Sequence, residues 1–179
     1  MQANHSVRIS FQTRMIFLIT AVIFLIIGTM GFVFSSIISS SMEEQIGKRA
    51  LSVAKITAND PELRAAFRAP DPSRLIQPIA ENVRRQTGAE FVVVGNRDGI
   101  RYAHPLADRI GKEMVGGDNE LGLVHGQSYV SKAIGSLGPS LRGKAPVKDE
   151  QGNVIGIVSV GFLLSDIEAA IRDYRSKVF

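Results

Sequence analysis

The chain has 179 residues, a formal net charge of +4, no cysteine and a 45% share of hydrophobic residues. Without cysteine, the disulfide framework common in small exported domains is excluded, so an apolar core must hold the fold. The positive charges are scattered and no nucleic-acid-binding motif accompanies them, so a solvated surface with a small cationic pocket explains them better than a nucleic-acid partner.

The apolar residues concentrate at one end. Residues 15–42 carry no charged side chain, a stretch longer than the roughly 20 residues that cross a bilayer, and this predicts a transmembrane helix. A secretory signal peptide has an apolar region of only about 7 to 15 residues and ends in a small-residue cleavage motif, which is not evident here. Arg8 and Arg14 precede the span and Glu43 and Glu44 follow it, so the positive-inside rule puts the amino terminus in the cytoplasm, with Lys48 and Arg49 reducing the contrast. The expected layout is a cytoplasmic segment 1–14, a span 15–41, and an extracytoplasmic remainder from about Met42.

Met42, Ile46, Ala50 and Val53 recur at helical spacing and carry the helix outward to about Asn59. Asp60 and Pro61 supply a cap and a first-turn proline for a short helix with Leu63, Ala66 and Phe67. Residues 68–73, with Pro70 and Pro72, read as a turn. Leu75, Ile76, Ile79 and Val83 mark a third helix that leaves through Thr87 and Gly88. The period then changes to that of strands: 91–94 is a buried strand, 95–99 a tight turn and 100–103 its partner. Residues 128–134 and 141–147 are the next two strands, joined by a Gly-Pro loop, and 149–153 turns into the last strand, 154–164. Ser165 and Glu168 form an S-x-x-E capping box, and Ile167, Ile171, Tyr174 and Val178 give the exit helix one apolar face. The roughly 120 residues beyond the membrane helix suffice for one domain, and helices leading into about five strands indicate an α+β domain with helices packed on an antiparallel sheet.

Arg142 and Lys144 stand two apart in a strand, so both project from one face. Arg101 and His104, beside Pro105, add donors suited to carboxylate oxygens, provided the chain bends near residues 103–105. Together they suggest a pocket for a multiply charged small acid. The plain alternatives are a charged edge strand that discourages aggregation for the first pair and an exposed strand end for the second. Residues 138–144, GPSLRGK, fit most of the P-loop pattern, but Ala145 stands where Ser or Thr is required and Pro146 opposes the helix that must follow. His5 and His125 lie in unrelated contexts, and His125 reads as a surface residue. An enzyme with His104 as general base lacks an evident nucleophile or metal cluster.

The blocks FVVVGNRDGIRYAHP (91–105), RIGKEMVGGDN (109–119), SYVSKAIGSLGPSLRGKAPV (128–147) and VIGIVSVGF (154–162), in that order, resemble the extracytoplasmic sensor domain of citrate-sensing histidine kinases of the CitA type. SLGxSLRGK is the most specific of them. The resemblance implies a PAS-like (PDC-type) domain over 42–164, followed at 165–179 by an exit helix leading toward a second span outside this chain. It implies that Arg101, His104, Arg142 and Lys144 contact citrate carboxylates, that Gly135, Ser136 and Leu137 contribute partly through backbone amides, and that Ser159 offers a hydroxyl. Met114 is a weaker carry-over, since methionine more often fills gaps, and Val93 departs from family members that have a hydroxyl there. Related C4-dicarboxylate sensors lack, as a rule, the Gly-Lys after the arginine, so Lys144 favours citrate. The partners implied are citrate, the lipid bilayer, a second copy in a homodimer, and a response regulator reached through a kinase portion that uses ATP and is absent here. No cofactor, metal or catalysis is expected of this chain. A C4-dicarboxylate sensor, or the sensor portion of a chemoreceptor or cyclase, are the alternatives.

Overall fold

A computed structural model describes residues 10–178. His5 and Arg8, and the side chains of Tyr174 and Val178, lie outside the described residues. The chain forms two compact units, Met1–Ser41 and Met42–Phe179.

Helix α1 runs Phe11–Ala58, and its part up to Ser41 belongs to the first unit. Large apolar side chains such as Ile16, Phe17, Phe24, Leu25 and Phe32 are exposed along it. This helix is long and apolar enough to cross a membrane, and an apolar surface without a polar face suits hydrocarbon better than water.

The second unit follows the sequence closely. Asp60 accepts a hydrogen bond from the Glu62 amide to open α2, Pro61–Ala66. Asp71 caps α3, Pro72–Thr87, which ends on Gly88 in the left-handed conformation. The proposed turn is therefore shorter than 68–73, because Pro72 already occupies the first helical position. Helix α3 buries Ile76 and Ala80, whereas Leu75 is about half exposed at 49%. The strands are β1 Phe91–Asn96, β2 Arg101–Ala103, β3 Tyr129–Gly135, β4 Gly138–Lys148 and β5 Val154–Leu163. They form one antiparallel sheet in the order β2-β1-β5-β4-β3. A short helix α4, Glu120–Leu123, precedes β3, and α5, Leu164–Val178, follows β5 directly.

Alternation along the strands divides the sheet into two faces. Val92, Val94, Ala145, Val147, Val158 and Val160 join Ala54, Ala58, Leu63, Ile76 and Ala80 in the core beneath the helices. Gly143 lies on this face, and a Cβ there would collide with the α1 backbone at Ala50 and Leu51. Only glycine permits that approach.

Three details differ from the sequence reading. The β3–β4 connection is a two-residue turn of Ser136 and Leu137, because Gly135 pairs with Gly138 and Pro139 is already in β4. Pro139 precedes the first β4–β5 pair, Ser140 with Leu163, so β4 has a neighbour on one side only and tolerates the missing N–H. The capping box does not form: α5 starts at Leu164, placing Ser165 inside the first turn, where its hydroxyl donates to Asp166 Oδ1 at 3.2 Å. Finally, β4 is flanked by β5 and β3, so an edge-strand explanation of Arg142 and Lys144 does not apply.

Candidate functional site

The sheet face opposite the core carries the polar residues. Ser140, Arg142 and Lys144 alternate along β4, and Ser159 sits opposite Lys144 on β5; all four are buried. Arg101 reaches this face through an irregularity in the β1–β2 ladder. Val94 pairs with Ala103 but Gly95 pairs with Arg101, leaving Tyr102 as the extra residue. Without this bulge Arg101 and Ala103 would point the same way, into the core; with it, Arg101 turns toward the cavity. The required bend therefore begins at Tyr102, ahead of the expected 103–105.

His104 follows the strand end and is fixed from several directions. Gln77 of α3 clamps its backbone, accepting from the His104 amide at 2.9 Å and donating to its carbonyl at 3.0 Å. The Leu106 amide donates to Nδ1 at 2.9 Å. The Leu106 carbonyl lies 3.2 Å from the same nitrogen, and Nε2 is hydrogen-bonded with Ser136 Oγ at 3.0 Å. Burial first, and the charge of Arg101 next, hold the His104 pKa below its ordinary value.

Arg101, His104, Met114, Gly135, Ser136, Leu137, Arg142 and Ser159 line one cavity, together with Phe91, Val93, Val115, Gly138 and Ser140. Eight of the nine residues singled out in the sequence are thus brought together, and no carboxylate is among the lining residues. The cavity volume is about 30 Å³, room for about two water molecules, and the cavity is partly open to solvent. A Cβ on Gly135 would run into the Arg142 guanidinium, which shows how tightly the turn closes over the arginine.

The two arginines differ in what they hold. The Arg142 Nε donates to Ser140 Oγ at 2.9 Å, Nη2 to the Ala133 carbonyl at 3.2 Å, and Nη1 to Asp118 Oδ1 at 3.2 Å and the Val115 carbonyl at 3.4 Å. Its guanidinium also lies 5.9 Å from the Phe91 ring centroid, within reach of a cation–π attraction. Arg101 has a single side-chain hydrogen bond, to Ser136 Oγ at 3.5 Å, and pairs with no carboxylate among the described residues. Desolvation, then repulsion from Arg109 and Arg142, lower its pKa. Most of its five N–H donors are left for another acceptor.

Lys144 is the ninth residue, and it lies outside the cavity wall. Its Nζ donates to Asp118 Oδ1 at 2.8 Å and to Asn119 Oδ1, with the side chain fully buried. Burial lowers the Lys144 pKa to about 8 despite the carboxylate beside it. Burial alone would raise the Asp118 carboxyl, but hydrogen bonds from Lys144 and Ser131 and the charges of Lys144 and Arg142 hold it below its usual value. Asp118 and Gln77 were not singled out in the sequence. Asp118 had one available signal, its place after Gly116-Gly117, which marks a loop able to aim a side chain inward.

A family model described as single cache domain 3 matches residues 38–176. The chain is 57% identical over 165 residues to the sensor protein CitS of Halalkalibacterium halodurans, covering 92% of this chain and 31% of that protein. It is 39% identical over 161 residues to the sensor histidine kinase CitA of Klebsiella pneumoniae, covering 90% and 29%. The chain therefore spans a little under a third of the length of these curated relatives. The crystal structure of the Escherichia coli DcuS sensor domain superposes with a TM-score of 0.67 at 34% identity, covering 74% of this chain and 98% of that one. The same antiparallel sheet with flanking helices, found over nearly the whole of that sensor domain, agrees with the sequence match, and the chain belongs to the single cache domain 3 family.

Proposed function

We propose that this chain is the ligand-sensing input portion of a membrane sensor histidine kinase that binds citrate outside the cytoplasm. The observation that carries the reading is a cavity lined by Arg101, Arg142 and His104 with no acidic residue in its wall. Arg101, buried without a carboxylate partner, is poised for an anion: a ligand carboxylate supplies the charge that the fold withholds. Three or four charge-assisted bonds at about 1.5 to 3 kcal/mol each bracket the roughly 8 kcal/mol of a micromolar complex, and ordering costs are met at the upper end of that range. Likeness to the Klebsiella sensor histidine kinase supports a kinase parent, with ATP used by its absent portion, a response regulator downstream and a homodimer as the working form.

In this reading residues 1–14 are cytoplasmic, 15–41 cross the bilayer, 42–164 form the sensor and 165–179 lead back toward the membrane. Ser159 of β5 lines the cavity, and β5 passes without a break into α5. A ligand that opens the wall and then draws the sheet onto itself shifts that helix, provided it binds the two domain shapes unequally.

A C4-dicarboxylate sensor is the second reading. It is favoured by the pairing of Lys144 with Asp118, which leaves two arginines, enough for two carboxylates. Titrating citrate, isocitrate, malate and succinate into the chain by calorimetry decides between them. Citrate binding at least about tenfold tighter than malate, a difference of about 1.4 kcal/mol, supports the first reading. The reverse order replaces it with the second, and no binding of any of the four refutes both.

A further inference from the structure

Asp118 stands between the cavity and Lys144, the one buried cation among the described residues that does not line it. Its Oδ1 lies 2.8 Å from Lys144 Nζ and 3.2 Å from Arg142 Nη1. Its Oδ2 accepts from Ser131 Oγ at 2.6 Å, and its backbone carbonyl accepts from the Tyr129 hydroxyl. Lys144 is fully buried, so water cannot satisfy it, and a buried ammonium needs an anion. Asp118 is that anion. Arg142 is shared, lining the cavity while one of its nitrogens reaches the same carboxylate oxygen.

Two residues on the same loop, Met114 and Val115, also line the cavity. Between them and Asp118 stand Gly116 at φ +130° and Gly117 at φ +66°, conformations that side-chain-bearing residues rarely adopt. Any shift that withdraws Asp118 from Lys144 therefore moves part of the cavity wall.

We propose that Asp118 is a specificity-determining residue: a resident carboxylate that occupies Lys144 and part of Arg142, and that a ligand's additional carboxylate must displace. This rests on the carboxylate-sensing reading above. A ligand with two carboxylates is served by Arg101 and the cavity side of Arg142, and gains little by the displacement. A ligand with three gains Lys144, but against competition from Asp118. The carboxylate thus sets the selectivity by penalising further negative charge near Lys144.

The test uses the whole chain in lipid nanodiscs, titrated with citrate and with malate. Asp118→Asn keeps the shape and removes the competing charge. The citrate-to-malate affinity ratio is expected to rise by at least about tenfold, the lower bound for a charge pair at this separation when it is screened as fully as in bulk water. Adding Lys144→Met to that variant is expected to abolish the rise. A ratio unchanged in Asp118→Asn, equal weakening of both acids, or a rise that survives Lys144→Met overturns the proposal, since Asp118 then only holds Arg142 in place. Should the amide variant not fold by circular dichroism, Asp118→Ser, which is smaller and also neutral, is read against the same outcomes. If wild type and variants bind neither acid, the carboxylate reading itself has failed and this proposal with it; if wild type binds and the ratio does not move, Asp118 alone has been misassigned.

Discussion

The two faces of the sheet are built from the same strands and are buried to the same degree, yet they solve opposite problems. On the helix side, Val92, Val94, Ala145, Val147, Val158 and Val160 are at most 2% exposed, and nondirectional burial of apolar area stabilises them. On the cavity side, Arg101, Ser140, Arg142, Lys144 and Ser159 are at most 4% exposed, and each needs a partner in the right direction. Lys144 and Arg142 find Asp118, whereas Arg101 finds only the Ser136 hydroxyl. One face thus supplies stability, and the other stores an uncompensated charge that, in the proposed reading, an anionic ligand neutralises.

Truncating the helix-side face gives the largest expected change. Leu63→Ala removes a fully buried core side chain and should cost about 2 to 5 kcal/mol of folding stability in denaturant titrations. Ligand affinity under conditions where the variant is folded should stay near wild type. An affinity lost along with stability would mean that the faces are not separable.

Arg101→Met tests the other face. Citrate binding should weaken by at least about 2 kcal/mol, the loss of a hydrogen bond to a charged group. The ligand-free chain, relieved of a buried cation near Arg109 and Arg142, should keep its stability or gain about 1 kcal/mol. Destabilisation comparable to that of Leu63→Ala would show that Arg101 holds the fold instead of waiting for a ligand.

His104 gives a smaller, pH-dependent effect. Its folded pKa is below the ordinary 6.5, so between those two values the unfolded chain binds more protons. Stability from this group is complete above 6.5 and is lost as pH falls through the folded value. His104→Gln should flatten that part of the stability profile. With a polyanion bound the shift reverses in sign, so wild type should take up a fraction of a proton near neutral pH, measured by calorimetry in buffers of different ionisation enthalpy after subtracting ligand protonation. Equal uptake in wild type and variant would show that His104 stays neutral beside the ligand.

Lys144 supplies a separate test, at alkaline pH. Its folded pKa of about 8 lies below the ordinary 10.5, so the buried ammonium costs stability at neutral pH and that cost is relieved as pH rises from 8 toward 10.5. Lys144→Met should remove this rise from the stability profile, and a profile that keeps it would assign the titration to another group.

Much of this was legible in the chain because it depends on local rules. The Asp60-Pro61 start of α2, the Gly88 exit of α3 and the alternation of Arg142 and Lys144 follow from backbone geometry and from the period of helices and strands. Eight cavity residues were legible too, though several through resemblance to a family, because periodicity could not have joined Met114 or Ser159 to Arg101. The position of the bend at Tyr102 was not legible. A bulge depends on how two strands pair, and the sequence of one strand does not state its register against another.

The elements and the chemistry they carry follow from the chain alone: an apolar segment of membrane length, helices ahead of five strands, and cations at two-residue spacing. These follow from the solvent preference and backbone geometry of each residue in turn. Which charges meet is set by packing. Strand order 2-1-5-4-3 puts β4 inside the sheet, and a glycine-bearing loop brings Asp118 to Lys144 across 26 residues of chain. A buried charge is stable only where its partner stands within a few ångströms, and that distance is a property of packed elements, fixed by no neighbour along the chain.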